Sequence, residues 1–113
     1  IIDHYLADPK VEDVVESLYL IEKGKSLYGL GEFTEAILTF EKVETPSTTH
    51  HPFDLSLFYV RDSYKARCHF ERGEREEALL AAAMAVENFK TLPQTPFKVF
   101  ALETFHRIEG MDL

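Results

Sequence analysis

Cysteine, basic charge and long apolar runs are all scarce in this 113-residue chain, and each scarcity removes a class of function. A single cysteine, Cys68, cannot close an internal disulfide, so the fold must hold by packing, and a reducing, cytoplasmic setting is expected. No apolar stretch approaches the roughly 20 residues that span a bilayer, so no membrane role is expected. Twelve basic residues stand against 20 acidic ones, giving a formal charge of −8 with no Lys/Arg cluster. Phosphate backbones and anionic lipid are repelled, and nucleic-acid binding by this segment is not expected. Only five glycines and five prolines interrupt the chain, while 45% of residues are apolar and nine are Phe. That composition fills one core, and a single domain spanning residues 1–113 is expected. The chain opens on Ile1 and shows no basic, apolar and small-residue sequence of the signal-peptide kind, so it reads as a piece of something longer.

What is present is a repeat. Gly31-Glu32-Phe33-Thr34-Glu35-Ala36-Ile37-Leu38 returns as Gly73-Glu74-Arg75-Glu76-Glu77-Ala78-Leu79-Leu80. Each copy follows a run of helical spacing that ends in an aromatic, Tyr28 before the first and Phe70 before the second. A repeated helical hairpin buries its apolar face by stacking on neighbours, and its natural product is a binding surface rather than a catalytic cleft.

The periodicity predicts five helices. Asp8 as cap with Pro9 in the first turn starts one that runs through Val11, Val14, Val15, Leu18, Ile21 and Lys25 to Tyr28. Gly29 and Gly31 let the chain turn. Phe33, Ala36, Ile37, Phe40 and Val43 then fall at steps of three and four on one stripe. Thr45 to Pro52, with two prolines and many side chains that compete for backbone hydrogen bonds, is a predicted loop. Asp54 is the expected cap of a third, inner helix from Leu55 to Phe70, apolar on more than one face. A fourth, alanine-rich helix runs to Phe89, and Thr95 with Pro96 starts a fifth that ends near Gly110. Ile1 to Leu6 is expected to be the remnant of a sixth.

These residues resemble the tetratricopeptide repeat, a pair of antiparallel helices with small and aromatic residues at fixed places. Its pattern matches Leu20, Gly24, Leu27, Tyr28, Gly31, Phe33, Ala36, Phe40 and Val43 in the first unit, and Ala66, Phe70, Gly73, Ala78, Ala82 and Ala85 in the second. Arg75, His69 and Asp62 depart from it, as does the lack of a closing proline at the family's spacing. Ala36 and Ala78 lie 42 residues apart, against a family period of about 34. The resemblance covers Val14 to Phe89, with Phe97 to Ile108 similar to the first helix of a third unit. It implies an all-α solenoid of about two and a half stacked hairpins and a non-enzymatic module that binds a protein or peptide. Irregular repeats rich in Tyr and Phe are also similar to those of cytoplasmic bacterial regulators that sense peptides behind a DNA-binding module, which is one alternative. A structural subunit that self-assembles is another.

In that family the first helix of each pair lines a concave face. The resemblance places Leu18, Ile21, Lys25 and Tyr28 there from one unit, and Val60, Ser63, Arg67 and Phe70 from the next. Two cations beside aromatics suit a peptide that carries a carboxylate, with Arg67 able to bind it bidentately, so Lys25, Tyr28, Ser63, Arg67 and Phe70 are the candidate groove. The plainer reading pairs Lys25 and Arg67 with Glu22 or Glu71 at the surface and puts Tyr28 and Phe70 in the core. The stripe of Phe97, Phe100, Phe105 and Ile108 must lie on the preceding hairpin or on another molecule. In the second case it is an assembly surface and the chain a homodimer.

Chemistry elsewhere is thin. His50 and His51 are adjacent in the loop, and His4, His69 and His106 sit on separate segments without ligand spacing, so no metal is expected. Cys68 and His69 are neighbours that point about 100° apart on a helix and cannot share a proton readily. Cys68 is expected to be buried and inert, and Glu74, Glu76 and Glu77 to serve the dipole of the helix they open. No catalytic residue and no cofactor are expected.

Overall fold

The computed structural model describes residues 9–43, 52–92 and 94–110. Five helices make up the fold: α1 (Pro9–Gly29), α2 (Phe33–Glu41), α3 (Pro52–Glu71), α4 (Arg75–Phe89) and α5 (Pro96–Gly110). It is all-α, with no strand among the described residues. The predicted remnant at Ile1 to Leu6, the Asp8 cap, the loop from Thr45 to His51 and the histidines His4, His50 and His51 lie outside the described residues.

Two hairpins, α1–α2 and α3–α4, are closed by the same turn. Gly31 and Gly73 take φ of +82° and +79°, a left-handed conformation that glycine adopts without a Cβ penalty. In the first turn Glu32 N–H donates to the Leu27 carbonyl at 2.9 Å and Gly31 N–H to the Tyr28 carbonyl at 3.1 Å. In the second, Glu74 donates to His69 at 2.9 Å and Gly73 to Phe70 at 3.0 Å. Both are Schellman turns. Glu32 and Glu74 then become the N-caps of α2 and α4, and each carbonyl accepts the first intrahelical bond, from Ala36 and Ala78, at 2.9 Å. The recurring octapeptide thus encodes a recurring turn.

The hairpins stack in sequence order. α2 packs on both α1 and α3, α4 on both α3 and α5, and the first helices α1, α3 and α5 touch along one side. α2 and α4 do not meet. The result is a repeat-like arrangement in which α5 packs on the second hairpin. Ala36, Phe40 and Cys68 fill the joint between α2 and α3, and Ala66, Ala78, Ala82 and Ile108 the joint among α3, α4 and α5, all essentially inaccessible to solvent.

Two expectations about helix starts met different outcomes. Thr95 caps α5 as expected, its Oγ1 accepting from Lys98 N–H at 3.3 Å and its carbonyl from Val99 N–H at 3.1 Å. Asp54 is not the cap of α3. That helix already begins at Pro52, whose fixed φ and missing N–H suit a first helical position, so Asp54 lies inside the first turn.

Candidate binding face

The side formed by α1, α3 and α5 carries a cleft of about 220 Å³, lined by Leu18, Ile21, Glu22 and Lys25 of α1, Val60 of α3 and Phe97 of α5. All of these helices open a hairpin or stand where a hairpin would open. Helical spacing explains the lining: Leu18, Ile21 and Lys25 follow one another at steps of three and four. Ile21 and Val60 are buried at its floor in one apolar cluster, with Leu18 and Phe97 packed against them. Lys25 stands half-buried beside them, its Nζ 3.4 Å from Glu22 Oε1.

From Lys25 a line of cations and rings crosses the three helices. Lys25 Nζ lies 5.7 Å from the centre of the Tyr64 ring, Tyr64 lies 4.8 Å from Phe100, and the Arg67 guanidinium lies over Phe100 at 4.2 Å. Arg67 Nε donates to Thr104 Oγ1 at 2.8 Å, which fixes the plane of the guanidinium across the α3–α5 joint. No carboxylate pairs with Arg67 among the described residues, in a chain with eight excess acids. Its two Nη groups remain as donors held in one orientation, the arrangement that receives a planar anion best.

The five expected groove residues are distributed unequally. Lys25 lines the cleft and Arg67 belongs to the adjoining ring-and-cation line. Lys25 makes the surface pair with Glu22 that the plainer reading allowed, but Arg67 turns to Thr104 and Phe100 and not to Glu71. Tyr28 is half-buried against Phe33 and Tyr64, at ring distances of 5.8 and 5.5 Å. Phe70 packs on the α3–α4–α5 core. Ser63 has no exposed surface, and its hydroxyl finds no hydrogen-bond partner among the described residues. It therefore presents no surface to a ligand on the face it was assigned to.

Tyr64 and Phe100, the aromatics that accompany the two cations, are not among the expected groove residues. Tyr64 lies three residues before Arg67 on the same helix, which is the available signal. Phe100 had been placed in the terminal stripe, and that stripe is laid on the preceding hairpin. Ile108 is buried among Ala66, Ala78, Ala81 and Ala82, Phe105 packs on the same cluster, and Phe97 and Phe100 pack on that of Ile21 and Val60. Of the two fates open to the stripe, the intramolecular one is seen.

Cys68 and His69 are engaged within the fold. Cys68 is fully buried, and desolvation, with Glu71 adding a like charge, pushes its thiol up to about 12, so the thiolate is suppressed. His69 Nδ1 lies 2.7 Å from Glu74 Oε1, and Arg72 Nη2 is 2.9 Å from Glu74 Oε2, so this group of three ties the second turn together. No cluster of three or more His, Cys, Asp or Glu converges among the described residues. No helix among them is long and apolar enough to cross a membrane. Comparison with protein-family models, with curated proteins and with solved structures finds no match.

Proposed function

We propose that this chain is a protein- or peptide-binding module of the tetratricopeptide type, whose ligand lies along the face of α1, α3 and α5. The observation that carries the reading is the join between the apolar cleft at Leu18, Ile21, Val60 and Phe97 and the oriented, carboxylate-free guanidinium of Arg67. An extended segment with an apolar side chain in the cleft and a carboxylate, from a side chain or a chain end, at Arg67 satisfies both. The matched Schellman turns and the tetratricopeptide pattern at Gly24, Ala36, Phe40, Ala66, Ala78 and Ala82 support the family reading. The module is non-enzymatic in this reading, with its one thiol buried and protonated, and a cytoplasmic setting fits an unpaired cysteine.

The test is a display selection for peptides that bind the chain, repeated on the Lys25→Glu, Arg67→Glu double variant with helicity checked by circular dichroism. Selected peptides should carry an apolar residue and a carboxylate, lose affinity as salt rises, and bind the double variant at least tenfold more weakly. Peptides that bind the double variant as well as the parent remove Lys25 and Arg67 from the site.

A further inference from the structure

The joint between α4 and α5 holds a second cleft, of about 160 Å³, which shares no lining residue with the cleft at Leu18 and Ile21. Each helix contributes residues at steps of three and four: Val86, Phe89 and Lys90 from α4 and its end, and Lys98, Ala101 and Leu102 from α5. Phe89 and Ala101 are the floor, both buried in one cluster with Ala85. Val86 and Leu102 stand half-buried beside them.

The charged groups of this cleft lie at one end of it. The short connection from Lys90 to Thr95 makes α4 and α5 antiparallel neighbours, so Lys90, just past the last turn of α4, and Lys98, in the first turn of α5, come to the same end. Lys98 Nζ donates to the Leu92 carbonyl at 3.0 Å, which holds the ammonium at the rim and leaves it two further donors. Lys25, Arg61, Lys65 and Arg72 each lie within 3.6 Å of a carboxylate. Neither Lys90 nor Lys98 pairs with one among the described residues, in a chain whose formal charge is −8, and no acid lines the cleft.

We infer that this cleft binds a small monocarboxylic acid whose apolar part is about the size of one aromatic ring. The ring lies over Phe89 and Ala101, and the carboxylate lies between Lys90 and Lys98. A cavity of about 150 Å³ accepts benzene, so the volume suits one ring. The lining spans four residues along each helix, about 6 Å, which is shorter than the roughly 10 Å of an extended tripeptide. The peptide face proposed above differs in this respect, since it crosses three helices. Each half of the ligand answers one half of the cleft: a neutral ring leaves two ammonium groups without an anion, and a bare anion leaves the apolar floor in water.

Heteronuclear NMR titration of the intact chain with phenylacetate, phenylacetamide and acetate tests this. Phenylacetate should shift the amides of Val86, Phe89, Lys90, Ala101 and Leu102 saturably, with a dissociation constant on the order of a millimolar, and should bind more weakly as salt rises. Phenylacetamide keeps the ring without the charge, acetate keeps the charge without the ring, and each should bind at least about tenfold more weakly. Lys90→Met with Lys98→Met retains both stems, removes both charges and should lose about the same factor. Lys90→Met alone, at an exposed position that leaves folding intact, should lose part of it. The Lys25→Glu, Arg67→Glu variant should bind phenylacetate as the parent does, which separates this cleft from the peptide face. The inference is overturned if phenylacetate does not saturate, if the amide or acetate binds these residues equally well, or if the methionine variants bind phenylacetate unchanged. Shifts that gather at Arg67 and Phe100 instead would also overturn it. So would a tripeptide ending in phenylalanine that moves these amides where phenylacetate does not, which would make the cleft a peptide subsite.

Discussion

The two hairpins share a turn but are packed differently, and the difference follows from how many neighbours each has. In α1–α2, Gly24 lies against Phe40: a Cβ built on Gly24 falls 2.4 Å from Phe40 Cε1, so the ring occupies the space a side chain would need. At the matching positions of α3–α4 stand Ala66 and Ala82, both fully buried in one cluster. Leu20, Ile21 and Leu27 of the first hairpin likewise become Asp62, Ser63 and His69 in the second. Among the described residues the first hairpin packs on α3 and fills its seam with its own large side chains. The second is covered on both sides, by α1 and α2 and by α5, and α5 supplies what its alanines leave out, chiefly Ile108 and Phe105. A repeat position is thus a place in a packing arrangement, and its preferred volume depends on what stacks there.

The largest effect expected from breaking this contrast is that of Gly24→Ala. The new methyl must displace a buried aromatic ring, an overpacking cost of about 3 kcal/mol that exceeds the gain of about 1 kcal/mol from replacing a helical glycine. Ala66→Gly, which imposes the first hairpin's small residue on the second, should cost about 1 kcal/mol. Urea denaturation of Gly24→Ala in a Phe40→Ala background completes the cycle. With the ring gone, Gly24→Ala should become neutral or stabilising, and an unchanged cost in both backgrounds would rule out the close approach as its cause.

A smaller effect tests what the hairpins have in common. Gly31 and Gly73 have matching φ, and a Cβ at either meets nothing within 4 Å, so the penalty of Gly31→Ala and Gly73→Ala is conformational alone. Each should lower stability by about 1 kcal/mol, and by the same amount. A clear inequality would show that the His69, Arg72 and Glu74 group at the second turn changes its energetics, since the first turn has Leu27 and Leu30 in the corresponding places.

The turns were legible because they are local: a glycine with left-handed φ, its neighbours and the apolar stripe of α2 all lie within a few residues. The all-α architecture followed from the same signals. The candidate face was legible only in part. The repeat places Lys25 and Arg67 on the side of α1, α3 and α5, where they stand, but it does not give Tyr64 and Phe100 beside them, because the contact of α3 with α5 depends on how far one hairpin slides on the next. Ser63 was misplaced for a related reason. Its counterpart Ile21 is buried to 3% while lining the cleft floor, so the shorter serine at that position has no surface left.

The smallest expected effect concerns Asp62, buried where the first hairpin has Leu20. Burial raises its carboxyl above the ordinary 3.8, against the lowering pull of Arg61, Lys65 and the Asn88 amide, whose Nδ2 donates to Oδ2 at 3.2 Å. Between 3.8 and the raised folded value the native state holds a proton that the unfolded chain has released, so this group's contribution to stability falls as pH rises through that window and then levels off. Asp62→Asn retains an acceptor for Asn88 and removes the charge. It should therefore be more stable than the parent at neutral pH, and the two curves should converge as pH falls below 3.8. Thermal unfolding of both proteins from acid to neutral pH measures the difference directly. A parent that instead gains stability over Asp62→Asn with rising pH would show that Arg61 and Lys65 outweigh burial. The second hairpin's polar seam would then be an attractive element of the core, where Leu20 in the first hairpin contributes only apolar contact.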